Sequence, residues 1–237
     1  MKVYDLYLKP EFSEGKSELE DFAHRARILG YSGICVFQNF ERHKEILELR
    51  EEFQRIEEKS RINVLLGFEA SNTKELVKLS DIRREYDVLA VIGGNINLNR
   101  KAVETPEVDI LVHPEKNRVD SGFNHIMARL ASKNNVAMCV DFREILITSK
   151  NTRAHILSKI MENIKICKKY GVKIIISSGA FSHLQMKDPK VLISMGVVLG
   201  LRLDEAKKCL SENPESIINF IKERQDKNWV RPGVRVV

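Results

Sequence analysis

His113 stands at the end of an apolar run in DILVHPEKNRVDSGFNH (residues 109–125), with Lys116 and Arg118 a few residues beyond it. An imidazole at a buried strand end can ligate a metal or take a proton. Arginine forks and lysine ammonium groups bind phosphate. Two chemistries are therefore open from one stretch: hydrolysis at a metal centre, or a grip on a phosphate backbone.

The hydrolytic reading needs partners for His113. Asp5, Glu69 and Asp141 close other apolar runs and are the available carboxylates. No H-x-H, H-E-x-x-H or D-x-H pair accompanies them, so every ligand would come from a different strand. Asp5 is followed by Leu6 and Tyr7, where barrel hydrolases often place metal-binding histidines. Ser177-Ser178-Gly179-Ala180, with His183 beyond it, lacks the G-x-S-x-G elbow of a serine nucleophile. That turn suits phosphate binding through backbone N–H groups, or a plain strand-to-helix turn. Cys35, Cys139, Cys167 and Cys209 have no C-x-x-C spacing, which excludes zinc knuckles and redox motifs; Cys35 and Cys139 read as small core residues. No catalytic residue and no protein-bound metal are assigned. A free-standing metal-dependent phosphoesterase is the alternative reading.

The cations carry the other reading. The chain of 237 residues has a net charge of +6, unevenly placed. Residues 1–60 hold 10 Lys/Arg against 13 Asp/Glu, a net of −3, and the rest hold 29 against 20, a net of +9. Arg83-Arg84, Arg100-Lys101, Lys116, Arg118, Arg143, Lys150, Arg153 and Lys168-Lys169 recur through the middle of the chain, mostly at helix starts or in loops beside strand ends. Several spread cations match a folded RNA better than one small ligand. Aromatic residues are only 7% of the chain, so RNA would be read through backbone and shape rather than by stacking.

These groups are positioned by alternating elements. Apolar runs at 3–8, 33–37, 62–68, 87–93, 109–113, 136–142, 172–178 and 195–201 read as strands, several nearly continuous in hydrophobicity, as buried parallel strands are. Amphipathic stretches at 16–29, 41–59, 73–86, 122–134 and 151–170 read as helices, with shorter connections at 98–105 and 184–194. Eight strands alternating with helices predict a TIM-like (β/α) barrel over 1–203, with a doubly wound open sheet as runner-up. Residues 204–225 read as C-terminal helices packed on the barrel, and 226–237 as a basic, flexible tail. No apolar run approaches a bilayer span and the first residues lack a signal-peptide core, so a cytoplasmic chain without membrane contact is expected.

SGFNHIMARLASKNNVAMCVDFREIL (121–146), KYGVKIIISSGA (169–180) and DPKVLISMGVVLGL (188–201) carry a resemblance. They resemble the ribonuclease P protein component 3 family, the archaeal counterpart of a eukaryotic ribonuclease P subunit. The marks are Asn124-His125 with Ala128 and Leu130, Asn135-Val136-Ala137, Arg143, Ser177-Ser178 and Asp188 to Leu201. The resemblance implies a barrel related to the polymerase-and-histidinol-phosphatase (PHP) metal hydrolases, with Glu69 and His113 as vestiges of a metal site. It implies a noncatalytic, RNA-binding role in removing the 5′ leader of precursor tRNA, Mg²⁺ being required by the RNA subunit rather than by the protein. Its implied partners are ribonuclease P RNA, precursor tRNA and protein component 2, in a heterotetramer with the latter. The RNA-binding residues it implies are Arg100, Arg118, His125, Arg143, Arg153 and Lys173.

Overall fold

A computed structural model describes residues 1–10, 18–226, 229–231 and 234–235. Seven parallel strands alternate with helices: β1 (Tyr4–Leu8), α1 (Leu19–Ile28), β2 (Gly33–Gln38), α2 (Ile46–Ser60), β3 (Asn63–Ala70), α3 (Thr73–Asp81), β4 (Val88–Ile92), α4 (Ile96–Glu104), β5 (Ile110–Val112), α5 (His125–Asn134), β6 (Ala137–Asp141), α6 (Phe142–Ile147), α7 (Lys150–Tyr170) and β7 (Ile174–Ser177). α8 (Pro189–Val198), α9 (Leu203–Lys208) and α10 (Glu212–Gln225) follow, then a short antiparallel pair, β8 (Trp229–Arg231) and β9 (Val234–Arg235). Of the expected helix over 16–29, the first two residues lie outside the described set, as do parts of the expected tail.

The strands pair in sequence order from β1 to β7, forming a nearly closed TIM-like barrel. Strand period two sorts the side chains into two cores. Tyr4, Leu6, Cys35, Phe37, Leu65, Val88, Ala90, Ile110, Val112, Ala137, Cys139 and Ile175 line the cylinder. Their neighbours, such as Ile34, Val36, Leu66, Phe68, Leu89, Leu111 and Ile176, face the helices. A Cβ on Gly67 would lie 2.9 Å from the Phe37 ring, so glycine leaves the space that this ring fills.

The eighth expected strand, at 195–201, is instead part of α8 and the turn after it. Asp188 caps the helix by accepting from Lys190 N at 2.8 Å, Pro189 sits in its first turn, and Gly200 at φ +98° lies just past its end. A short run that is apolar on most faces satisfies both periods, and here the punctuation decides. The place of an eighth strand is taken by a length of backbone. Ile176 N donates to Cys209 O (3.3 Å) and Tyr4 N to Leu210 O (2.9 Å), while Tyr7 N donates to Ser177 Oγ (3.1 Å) and Lys9 N to Ala180 O (3.0 Å). These bonds stitch the seam between β1 and β7 without a ladder.

α10 stops the N-terminal end of the barrel. Its Ile217, Ile218 and Ile221 join the interior core. Arg224 reaches Asp109 Oδ1 at 3.2 Å, and Arg83 pairs with the other oxygen of the same carboxylate. Arg83 also donates to the carbonyls of Tyr86 (3.0 Å), Asp87 (2.8 Å) and Glu107 (2.8 Å). Arg83, counted above with the surface cations, is thus a buried structural residue.

Candidate functional site

The C-terminal strand ends collect Glu69, His113, Asp141, Ser177 and Ser178 at the barrel mouth, all buried, and Asp5, buried at the second position of β1 rather than at its end, joins them through the two serines. Each acid there is already engaged. Glu69 forms an ion pair with Lys9 and accepts from Tyr7 Oη at 3.0 Å. Asp5 accepts from both serine hydroxyls, that of Ser178 at 2.5 Å, and from Ser178 N at 3.2 Å. Burial lifts the Asp5 carboxyl to about 6 against the pull of those hydrogen bonds.

His113 adopts φ +51° and lies 3.1 Å from Asp141 Oδ2 through Nε2, with Nδ1 3.7 Å from Glu115. Burial works to lower its pKa, but hydrogen bonds and charge from Asp141 and Glu115 carry it up to about 10. The two acids thus favour the protonated ring, and the contact with Asp141 engages Nε2, the nitrogen that points into the mouth cluster. Asp141 Oδ1 caps α6 by accepting from Arg143 N at 2.8 Å. Gly179, at φ +60°, presses on the same carboxylate: a Cβ there would fall 1.7 Å from Asp141 Oδ1.

A metal ion of the kind whose vestigial site the sequence resemblance implies does not fit this donor set. Among the described residues no three His, Cys, Asp or Glu side chains form a group able to hold a metal. An ammonium, an imidazolium and two hydroxyls take the carboxylate lone pairs that an ion would need.

The cations divide differently. Arg118 is half-buried on the loop after β5, its fork held by Asp120 at 2.6 and 2.8 Å and by Gly94 O at 3.3 Å. That pairing keeps the Asp120 carboxyl below the usual carboxylate range. With Lys116 and the Gly93-Gly94-Asn95 turn, Arg118 lines a cleft of about 430 Å³. His125 opens α5, fully outside the core, with Asn124 capping the helix through Ile126 N and Met127 N, both at 3.0 Å. It lines a neighbouring cleft of about 490 Å³, which shares Ile96 with the first. Arg100, exposed on α4, pairs with Glu104 at 2.8 Å. His155 Nε2 donates to Arg118 O at 3.2 Å and fixes the start of α7 to this loop.

Three candidates lie outside that pair of clefts. Arg153 is exposed but turns its guanidinium onto the carbonyls at the end of α6, Thr148 at 2.7 Å and Leu146 at 3.2 Å. Arg143 sits at the mouth rim with its guanidinium carbon 3.5 Å from the Phe181 ring centroid, and its buried Nε has no partner. Lys173 precedes β7, half-buried at the far end of the barrel, where burial lowers its pKa. Phe181, Tyr170 and Arg129 were not singled out from the sequence. Each is an isolated residue whose neighbours come from distant elements.

A family model described as RNase P subunit p30 matches residues 2–226. The ribonuclease P protein component 3 of Methanococcoides burtonii is 34% identical over 232 residues, covering 94% of this chain and 89% of that protein. A chain in the cryo-EM structure of archaeal ribonuclease P with mature tRNA superposes with a TM-score of 0.83 at 29% identity, covering 98% of this chain and 97% of that one. A Xaa-Pro dipeptidase superposes with a TM-score of 0.59 at 10% identity, covering 93% of this chain and 76% of that one. At that identity it shares the fold alone.

Proposed function

The chain belongs to the RNase P subunit p30 family and is a protein subunit in tRNA processing, and from that premise we propose that it does no bond breaking itself. The reading has the protein hold the fold of ribonuclease P RNA while that RNA, with Mg²⁺, cleaves precursor tRNA. The carrying observation is the barrel mouth, where Lys9, His113, Ser177 and Ser178 occupy the acids that a hydrolase would use. Exposed cations, Lys116 and Lys169 among them, line the clefts after β4 and β5.

In this reading Arg100, Arg118 and His125 face RNA as one surface, while Arg143 and Arg153 extend it along the rim. Fixed protein cations replace diffuse counterions around the RNA, which lowers the Mg²⁺ needed for its active fold. Lys173, at the opposite end, belongs to a second contact, with RNA or with protein component 2. Assembly with component 2 as a heterotetramer and a cytosolic setting complete the proposal. No helix among the described residues is long and apolar enough to cross a membrane.

Reconstitution tests it. Precursor tRNA is incubated with the RNA and its other proteins, with this chain present or omitted, across a Mg²⁺ series. Omission is expected to raise the Mg²⁺ requirement, and the purified chain alone is expected to leave the substrate intact. Turnover by the lone chain with a tightly bound transition metal would overturn the reading.

A further inference from the structure

The cleft lined by His125 has a built interior. Its lining includes the apolar Ile96, Phe123 and Ile166, of which Phe123 is buried and Ile96 exposed, together with His125 at the start of α5 and Tyr170 at the end of α7. Lys169 lines its edge together with the Glu162 carboxylate. The Tyr170 ring has two cations close to it: Arg129 at 5.5 Å and Lys169 Nζ at 5.6 Å from its centroid. His125 and Arg129 are four residues apart on α5, so they project from the same side of that helix.

A half-apolar hollow of about 490 Å³ with three ring side chains, Phe123, His125 and Tyr170, and flanking cations matches what one nucleotide offers. A base presents a flat π-face to aromatic walls, and its phosphate presents charge to Lys or Arg. A base inside a helix cannot reach such a hollow. An unpaired one can. The cleft borders on Ile96, as does the one lined by Lys116 and Arg118, so cations lie near at hand for the adjoining backbone.

We propose that this cleft receives one unstacked RNA nucleotide, its base against Tyr170 and His125 and its phosphate on Arg129 and Lys169. The inference rests on the RNA-holding reading above and narrows it: His125 acts on a base rather than on a phosphate, and the surface reads one single-stranded position besides shape. Glu162, which accepts from Ser121 Oγ at 3.2 Å, and Asn124, which caps α5 through its Oδ1, also line the cleft.

The test uses the full chain, a short single-stranded RNA of mixed sequence, and the same sequence as a duplex. His125→Ala and Tyr170→Leu are expected to lose roughly tenfold in single-strand affinity, with the salt slope and duplex binding unchanged. Tyr170→Phe, which keeps the ring, is expected to bind as the native chain does. Arg129→Ala and Lys169→Ala are each expected to lower the log–log salt slope by about 0.7. Native affinity in both His125→Ala and Tyr170→Leu would overturn the site, and so would equal losses on single strand and duplex. Loss of binding to component 2 with RNA affinity intact would assign the cleft to a protein partner and overturn it too. Absence of RNA binding by the native chain, alone and with component 2, would instead overturn the broader reading.

Discussion

His113 shows how one residue can look catalytic and be structural. Its environment holds a proton on the ring, so the folded state takes up charge that the unfolded chain lacks at neutral pH. The ordinary value of 6.5 rises to about 10, so this contribution to stability is complete below about pH 6.5 and is lost as the pH climbs through 10. His113→Asn is expected to lower the unfolding free energy by roughly 3–5 kcal/mol at neutral pH, since it strands buried acids. Urea midpoints measured from pH 6 to pH 10 should converge for the two proteins at the alkaline end. Gly179→Ala is expected to cost at least about 2 kcal/mol, because a side chain at φ +60° meets the Asp141 carboxylate; the same denaturation assay reads it. Arg118→Ala is a surface change with a different signature. Its fold should persist, while the salt slope for ribonuclease P RNA should fall by about 0.7 to 0.9, the share of one phosphate contact.

At the scale of elements, the sequence was legible wherever two independent signals agreed. β1 to β7 coincide with the expected runs, β2 and β3 running one and two residues past them, because β-branched residues, length and flanking turns all point one way. The run at 195–201 failed because its apolar residues suit either period, and Asp188-Pro189 outweighed them from several residues upstream. The mouth was half legible. Glu69, His113 and Asp141 followed from strand ends, whereas Asp5 stands at the second position of β1, and nothing local shows that Lys9 folds back onto Glu69, a partner 60 residues away. The helix over 212–225 was readable as a helix, though its role as a barrel stop depends on Asp109 receiving two guanidinium groups from distant segments. Asp109→Asn is expected to cost roughly 3–5 kcal/mol by leaving Arg83 and Arg224 buried without an anion. An unchanged urea m-value would show that the compact state survives.

For the molecule as a whole, charge is sorted by region. α2 carries exposed acids, Glu48, Glu51 and Glu58 among them, whereas Lys116, Arg118, Arg129 and Lys169 gather around α4, α5 and the end of α7. A polyanion is therefore drawn to the α4–α5 side more than to α2. Replacing Glu48, Glu51 and Glu58 together by Gln is expected to leave the salt slope for ribonuclease P RNA within about 0.3 of the native value, measured by filter binding over a salt series. The stopper at the other end has a temporal consequence. Residues 212–225 are translated after every strand of the barrel, so on the ribosome the N-terminal end of the cylinder, where α10 packs on β1 and β7, stays open to water until that helix has cleared the exit tunnel. Sealing is one late event in biogenesis, and the interval before it is when the chain most needs a chaperone's shelter.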